Sequence, residues 1–223
     1  MTHAIRQHPG SRPYQCDAAH THPARRVHTV LDGIGASPLI RDWTARQAAA
    51  LTHLIGGRGL HPAGAITELQ RAITGDPLLP GEDVLPGACA VAAHLDRRGT
   101  LHIGWIGDCR AYLLRDGALT QLTTDHNEAA EGSTEPDAAD YLTRCLGWRH
   151  GGHQAEPAQA VVPRAGGRLL LATDGAYAPL EADDIATLLD TGSPADAANA
   201  IITAAITAAG PDADNATALV ADL

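Results

Sequence analysis

From Ala88 onward the apolar residues of this chain recur at every second position, and that period persists through four successive segments: Ala88–Leu95, Leu101–Ile106, Arg110–Arg115 and 118–122. Alternation of this kind commits the segments to strands, with Leu101, Ile103 and Trp105 on one face. The links are turn sequences, Arg97-Arg98-Gly99 and Asp116-Gly117, the second a two-residue hairpin signal. An antiparallel meander is therefore expected in the middle of the chain.

The flanks follow other periods. Ser37-Pro38 reads as an N-cap with Pro at N1, and Leu39, Ile40, Trp43, Ala50, Leu51, Leu54 and Ile55 keep helical spacing up to the stop at Gly56-Gly57. A second helix is expected from about Pro62, with Ile66, Leu69 and Ile73 on one side. Residues 27–31 are short and β-prone and end in the turn pair Asp32-Gly33. Residues 1–26 have no period and read as an arm or an irregular edge strand, with 1–11 as a flexible arm. Residues 126–140 form a polar excursion, 141–146 suit a helical turn, and Arg168–Ala172 is an apolar strand. Helices near 183–189 and Pro194–Ala209 and a strand at 217–223 close the chain. Helices on either side of a strand-rich centre imply an α+β fold, sheet packed on sheet with helices outside. With 223 residues, no internal repeat and no low-complexity linker, one domain over 1–223 is expected.

Composition narrows the function. The 44% hydrophobic and 19% charged shares are those of a globular chain, but Phe is absent, so Leu, Ile, Val and Ala must fill the core. A formal net charge of −10 repels a phosphate backbone and argues against a nucleic-acid partner. It fits either a solvated surface or carboxylates neutralised by bound cations. Cys16, Cys89, Cys109 and Cys145 are scattered, with no Cys-x-x-Cys pair, and read as free thiols in a reducing compartment. The first ten residues lack the apolar run of a secretory signal, and residues 195–209 include Asp196 and Asn199 and are too short to span a bilayer. A soluble, cytoplasmic protein without a membrane partner is expected.

Three aspartates stand at strand ends. Asp32-Gly33 and Asp174-Gly175 each follow an apolar strand, and Asp214-Asn215 precedes the last one. Asp116-Gly117, between two amphipathic strands, is only a turn. A carboxylate at a strand end is held by a rigid scaffold, as a metal constellation requires. Carboxylate and carbonyl oxygens suit Mg²⁺ or Mn²⁺, and two such ions about 3.5–4 Å apart would activate water against a phosphate ester. An arginine would bind the phosphate oxygens. The His20-x-His22 pair has no third ligand and no His-Glu-x-x-His companion, so it does not support a zinc site. Cys109 and Cys145 have no sequence-local reason for a depressed pKa.

An ordered series of motifs makes the resemblance specific: Arg12-Pro-Tyr-Gln-Cys-Asp17, Val30-Leu-Asp-Gly-Ile-Gly35, Gly107-Asp-Cys-Arg110, Leu122-Thr-Thr-Asp-His126, Leu142-Thr-Arg-Cys-Leu-Gly147, Leu169-Leu-Leu-Ala-Thr-Asp-Gly175 and Asp214-Asn-Ala-Thr217. From residue 12 to the C-terminus the chain resembles the PPM, or type 2C, metal-dependent serine/threonine protein phosphatases, particularly their compact bacterial members. The resemblance implies a central antiparallel β-sandwich flanked by antiparallel helices, a four-layer αββα arrangement, with two Mn²⁺ or Mg²⁺ ions in a cleft at one end. It implies that Asp32 bridges the ions, Gly33 offers its carbonyl, and Asp174 and Asp214 complete the coordination. Asp17 falls on the first aspartate of the family, Arg12 on its phosphate-binding arginine, and Asp108 on an aspartate of a third, weaker metal site. The implied partner is a phosphorylated protein made by a Ser/Thr kinase, and the implied state is a monomer.

The chain also departs from that pattern. Gln15-Cys16-Asp17 stands where the family has Asn-Glu-Asp, which implies weaker metal binding that a glutamate at position 16 would restore. Ile34-Gly35-Ala36 leaves no histidine as general acid, and residues 127–141 are short for the flap of bacterial members. Two classes of function stay open: an active phosphatase, and a regulatory pseudophosphatase that binds a phosphoprotein or kinase without efficient turnover.

Overall fold

A computed structural model describes residues 2–75, 86–150 and 153–223. Two five-stranded antiparallel sheets form its centre. One is ordered β1-β12-β11-β6-β7, from β1 (His3–His8), β6 (Arg110–Arg115), β7 (Ala118–Gln121), β11 (Arg168–Ala172) and β12 (Ala216–Asp222). The other is ordered β10-β5-β4-β3-β2, from β2 (Ala18–His22), β3 (Val27–Gly33), β4 (Ala88–Leu95), β5 (Leu101–Ile106) and β10 (Ala158–Val162). A short pair, β8 (Arg149–His150) with β9 (His153–Gln154), stands apart. Helices α1 (Pro38–Gly56) and α2 (Pro62–Thr74) lie between β3 and β4 in sequence; α3 (Asp174–Tyr177), α4 (Ala182–Leu189) and α5 (Pro194–Ala209) lie between β11 and β12.

The central strands are apolar at successive positions, β4 running Ala-Cys-Ala-Val-Ala-Ala, so both faces of each sheet need cover, and three core layers result. Val30, Val91, Ile103 and Trp105 of one sheet meet Ala111, Leu169, Leu171 and Leu219 of the other. On the far side of the first sheet Val27, Leu31, Ala90 and Ala92 pack under Trp43, Leu51, Ile55 and Ile66 of α1 and α2. On the far side of the second, Leu170, Ala218 and Val220 pack under Ile185, Leu189, Ile201 and Ile202 of α4 and α5. The order is helix, sheet, sheet, helix, as expected. Small Ala, Val and Leu side chains fill it in the absence of Phe, and Leu101, Ile103 and Trp105 share the inter-sheet face.

Helix starts follow their caps. The Ser37 hydroxyl accepts the N–H of Ile40 at 3.3 Å with Pro38 at N1, and Ser193 and Asp196 form a reciprocal capping box at the start of α5.

Several local expectations are corrected. The four central strands are not one meander: β4–β5 belong to one sheet and β6–β7 to the other, and the chain crosses between them at Gly107-Asp108-Cys109. Gly107 makes the crossing with a φ of +91°, beside Cys89, where a Cβ would overlap that side chain. Asp32-Gly33 is not a turn but the last rung of β3, paired with Cys89 and Ala88, because β4 supplies the ladder partners. Residues 3–8 are not a free arm; they form an edge strand in register with β12, from His3↔Ala221 to His8↔Ala216. Residues 141–146 are extended rather than helical, bridging Asn127↔Leu142 and Ala88↔Leu146. Strand β10 gave no sequence signal strong enough to find; it closes the edge beside β5.

Candidate active site

Antiparallel pairing brings the marked residues to one end of the sandwich. The last rung of β3 carries Asp32 and Gly33, and the crossover from β5 to β6 carries Asp108. Asp174 follows β11 and Asp214 precedes β12, which are antiparallel neighbours. Arg12, Asp32, Gly33, Asp108, Asp174 and Asp214 all line one cleft of about 450 Å³, with Ile34, Cys89, Asp140, Leu142 and Asn215 completing its walls. Asp17 lies buried just behind it.

The loop that carries Arg12 and Asp17 is held by a residue the sequence reading passed over. The Asn215 Oδ1 accepts the Cys16 N–H at 2.6 Å, and its Nδ2 donates to the carbonyls of Pro9 (2.9 Å) and Tyr14 (3.0 Å). Two threonines were also missed. Thr173 and Thr217 donate their hydroxyls to Oδ2 of Asp17, at 3.0 and 2.7 Å. Their signal was the Ala-Thr-Asp-Gly and Asp-Asn-Ala-Thr contexts, where a buried hydroxyl next to a strand-end carboxylate needs an acceptor. Asp140, in the polar excursion, had no signal at all.

The remaining geometry is tight. A Cβ on Gly33 would collide with the Thr44 hydroxyl, the Cys16 carbonyl and Ile40, so only glycine fits there. Asp108 is braced through its backbone: the Tyr177 hydroxyl donates to its carbonyl at 3.0 Å. Arg110 lies 3.9 Å above the Tyr177 ring and grips Asp125 in a fork, at 3.0 Å through Nε and 2.7 Å through Nη2.

Electrostatically the carboxylates of the cluster outnumber its one guanidinium, Arg12. Burial pushes the Asp17 carboxyl up to about 7, against its two threonine hydrogen bonds, and Asp174 and Asp214 add repulsion. Burial, then the charges of Asp17, Asp174 and Asp108, hold Asp32 well above the usual carboxylate range. Burial also raises Asp174, and it raises Asp108, where Asp174 adds to it, to about 6. Carboxylates that resist ionisation together are what a cation would relieve. The Oδ1 of Asp17 is buried with no hydrogen-bond partner among the described residues, which leaves a hard oxygen ready for such a charge. The donor set of carboxylates and one backbone carbonyl suits Mn²⁺ or Mg²⁺. Among the described residues no three His, Cys, Asp or Glu side chains close on a single point. Ions here would therefore take one or two carboxylates each and keep several waters, as Mg²⁺ commonly does.

Cys16 behaves otherwise than the resemblance implied. Its side chain is 1% exposed, is absent from the cleft wall, and its Sγ donates to the carbonyl of Ser37 at 3.7 Å, under the start of α1. In this arrangement position 16 faces the helix rather than the cleft.

Comparison with known proteins bears on the family and the fold. A family model described as protein phosphatase 2C matches residues 66–132. The serine/threonine protein phosphatase PstP of Mycobacterium tuberculosis is 33% identical over 214 residues, covering 78% of this chain; the chain spans 40% of the length of that relative. Among solved structures, the catalytic domain of PstP in complex with two manganese ions superposes with a TM-score of 0.78 at 29% identity, over 99% of this chain and 97% of that one. The S. agalactiae serine/threonine phosphatase shares the fold alone: TM-score 0.81, 19% identity, 98% of each chain.

Proposed function

Because this chain belongs to the metal-dependent (PPM, type 2C) protein phosphatase family, we propose that it removes phosphate from phosphoserine or phosphothreonine of a protein substrate. The observation that carries this reading is the convergence of Asp17, Asp32, Asp108, Asp174 and Asp214 with Arg12 at one cleft. Asp32, the Gly33 carbonyl, Asp174 and Asp214 would hold two Mn²⁺ or Mg²⁺ ions, with Asp17 behind them and Asp108 toward a third, weaker position. When bound, such ions supply Lewis-acid charge and a water acidic enough to attack phosphorus at neutral pH.

The residues of the chain do the rest. Arg12 offers its planar fork to the phosphate oxygens and orients the ester for in-line attack. Thr173 and Thr217 hold Asp17 in one orientation, and Asn215 holds the loop that carries both Arg12 and Asp17. Ile34 and Leu142 give the cleft an apolar wall beside its carboxylates. With no histidine among the described residues of that wall, water is left to protonate the departing alkoxide. The wider reading is of a monomer acting on products of a Ser/Thr kinase. Four buried, unpaired cysteines favour a reducing compartment, the cytoplasm. Among the described residues no helix is long and apolar enough to cross a membrane.

The test is hydrolysis of a chromogenic aryl phosphate and of a phosphothreonine peptide by the purified chain, with Mn²⁺ and with EDTA. Metal-dependent release of phosphate is expected. Its absence from well-folded protein with millimolar-order Mn²⁺ would leave the pseudophosphatase reading in its place.

A further inference from the structure

At the opposite end of the sandwich lies a second cleft whose charge is of the other sign. It measures about 430 Å³ and is lined by Arg25, Arg26, His94, Asp96 and Arg97, with Ala24 and Leu95. The cleft sits where β3 begins and β4 ends, whereas the aspartates sit where β3 ends and β4 begins. Seven strand residues at about 3.3 Å each put roughly 20 Å between the two.

Three arginines converging on one cleft stand out in a chain of net charge −10. Among the described residues, the ion pairs formed by arginine involve Arg12, Arg41, Arg58, Arg110, Arg115, Arg144 and Arg168, and none involves Arg25, Arg26 or Arg97. The one carboxylate in the cleft is already engaged. Asp96 Oδ1 accepts the N–H groups of Arg98 (2.8 Å) and Thr100 (2.9 Å), and its Oδ2 faces Nε2 of His102 at 3.3 Å. Arg26 is positioned rather than loose: its Nη2 donates to the Asp96 carbonyl at 2.6 Å, and its own carbonyl accepts the Leu95 N–H at 3.1 Å. It also holds a left-handed φ of 54°, a conformation glycine would adopt with less strain. The remaining donors of its fork are free for a ligand, with the exposed Arg25 and Arg97 beside it.

We propose that this cleft is a second, non-catalytic binding site for a phosphoryl oxyanion, held between Arg26 and the flanking Arg25 and Arg97. Planar guanidinium forks match phosphate oxygens in bidentate fashion. The cleft is larger than a bare phosphate needs, which leaves space for the side chain that carries one. The source is either inorganic phosphate, which the proposed reaction releases, or a phosphorylated residue of a protein. The first source rests on the reading of the chain as a phosphatase; binding at the cleft does not.

The test is ¹⁵N NMR titration of the full chain in EDTA, where binding is read at the cleft itself and turnover plays no part. The probes are sodium phosphate, a phosphothreonine peptide and the same peptide without phosphate. Saturable shifts are expected at the amides of Arg26 and Arg97 with at least one phosphorylated probe. Response to the peptide alone assigns a protein-borne phosphate, and response to sodium phosphate alone assigns the free ion. Arg25→Gln/Arg97→Gln, which leaves the Arg26 anchor intact, should weaken the response at least about tenfold while aryl phosphate hydrolysis stays unchanged. No shift at these amides with either phosphorylated probe, an equal response to the unphosphorylated peptide, or undiminished binding in the double variant would overturn the proposal.

Discussion

Nη2 of Arg12 lies 2.7 Å from Oδ2 of Asp214, joining the loop after β1 to the turn before β12. The pair sets the residue assigned to phosphate against one assigned to metal, so each neutralises the other. Both side chains are close to half exposed, 49% and 42%, and a pair so placed contributes no more than about 1 kcal/mol. Arg12→Ala should therefore barely change thermal stability. It should raise KM for an aryl phosphate more than it lowers kcat, as loss of uniform phosphate binding does. An unchanged KM would return Arg12 to the role of a surface charge.

Asp174 is crowded by the charge of Asp214, and its own charge in turn raises Asp32. Removing one carboxylate from this group relieves repulsion in metal-free protein. Asp174→Asn should accordingly melt in EDTA no lower than the parent chain. It should lose turnover and most of the Mn²⁺-induced rise in Tm, since a ligand stabilises only in proportion to its binding. Calorimetry with and without Mn²⁺ measures both, and near-normal turnover would sink the assignment.

Position 16 was expected to restore metal affinity if it carried a carboxylate. With Cys16 1% exposed and turned toward Ser37, a glutamate there would be buried, and Arg41, whose charge reaches position 16, is exposed and already paired with Asp42 at 2.8 Å. Cys16→Glu should cost about 2 kcal/mol or more in denaturant unfolding without lowering the Mn²⁺ midpoint of activity. Cys16→Ala should leave that midpoint unchanged and lose roughly 1 kcal/mol. A lower midpoint in Cys16→Glu would mean that the side chain reaches the cleft.

His28 is 1% exposed in the inter-sheet layer, and neither ring nitrogen has a protein partner among the described residues. Burial, with His3 beside it at 5.1 Å between ring centroids, lowers its pKa from 6.5 to about 4. The unfolded chain binds this proton first, so folding stability falls as the pH drops from about 6.5 to about 4 and levels off below that. The loss is about 3 kcal/mol in total. His28→Leu should remove this part of the acid dependence and leave neutral-pH stability equal or higher, because no hydrogen bond is lost. Urea unfolding at pH 7 and pH 4.5 reads both; an unchanged acid slope in His28→Leu would place the titration elsewhere.

Local chemistry was legible in the residues themselves. Alternation from Ala88 to Leu122, the Ser37-Pro38 cap and the i, i+3, i+4 spacing of Leu51, Leu54 and Ile55 each depend on neighbours a few positions away, and each element forms where its pattern lies. Even the site was partly readable, because a strand-end aspartate keeps its motif wherever the strand goes. What only the tertiary structure decided rests on contacts far apart in sequence. No local signal says that β5 and β6 part company at Gly107, since both strands alternate alike and the choice of sheet depends on which partner covers each face. Residues 3–8 become a strand only because β12 offers its edge. Asp32-Gly33 is a turn pair by composition and a ladder rung by virtue of Cys89 and Ala88. Cys16 turns from the cleft, and Arg25, Arg26 and Arg97 meet in a second one, because loop direction is set by hydrogen bonds such as Asn215 to Cys16 and Arg26 to Asp96, across 199 and 70 positions of chain.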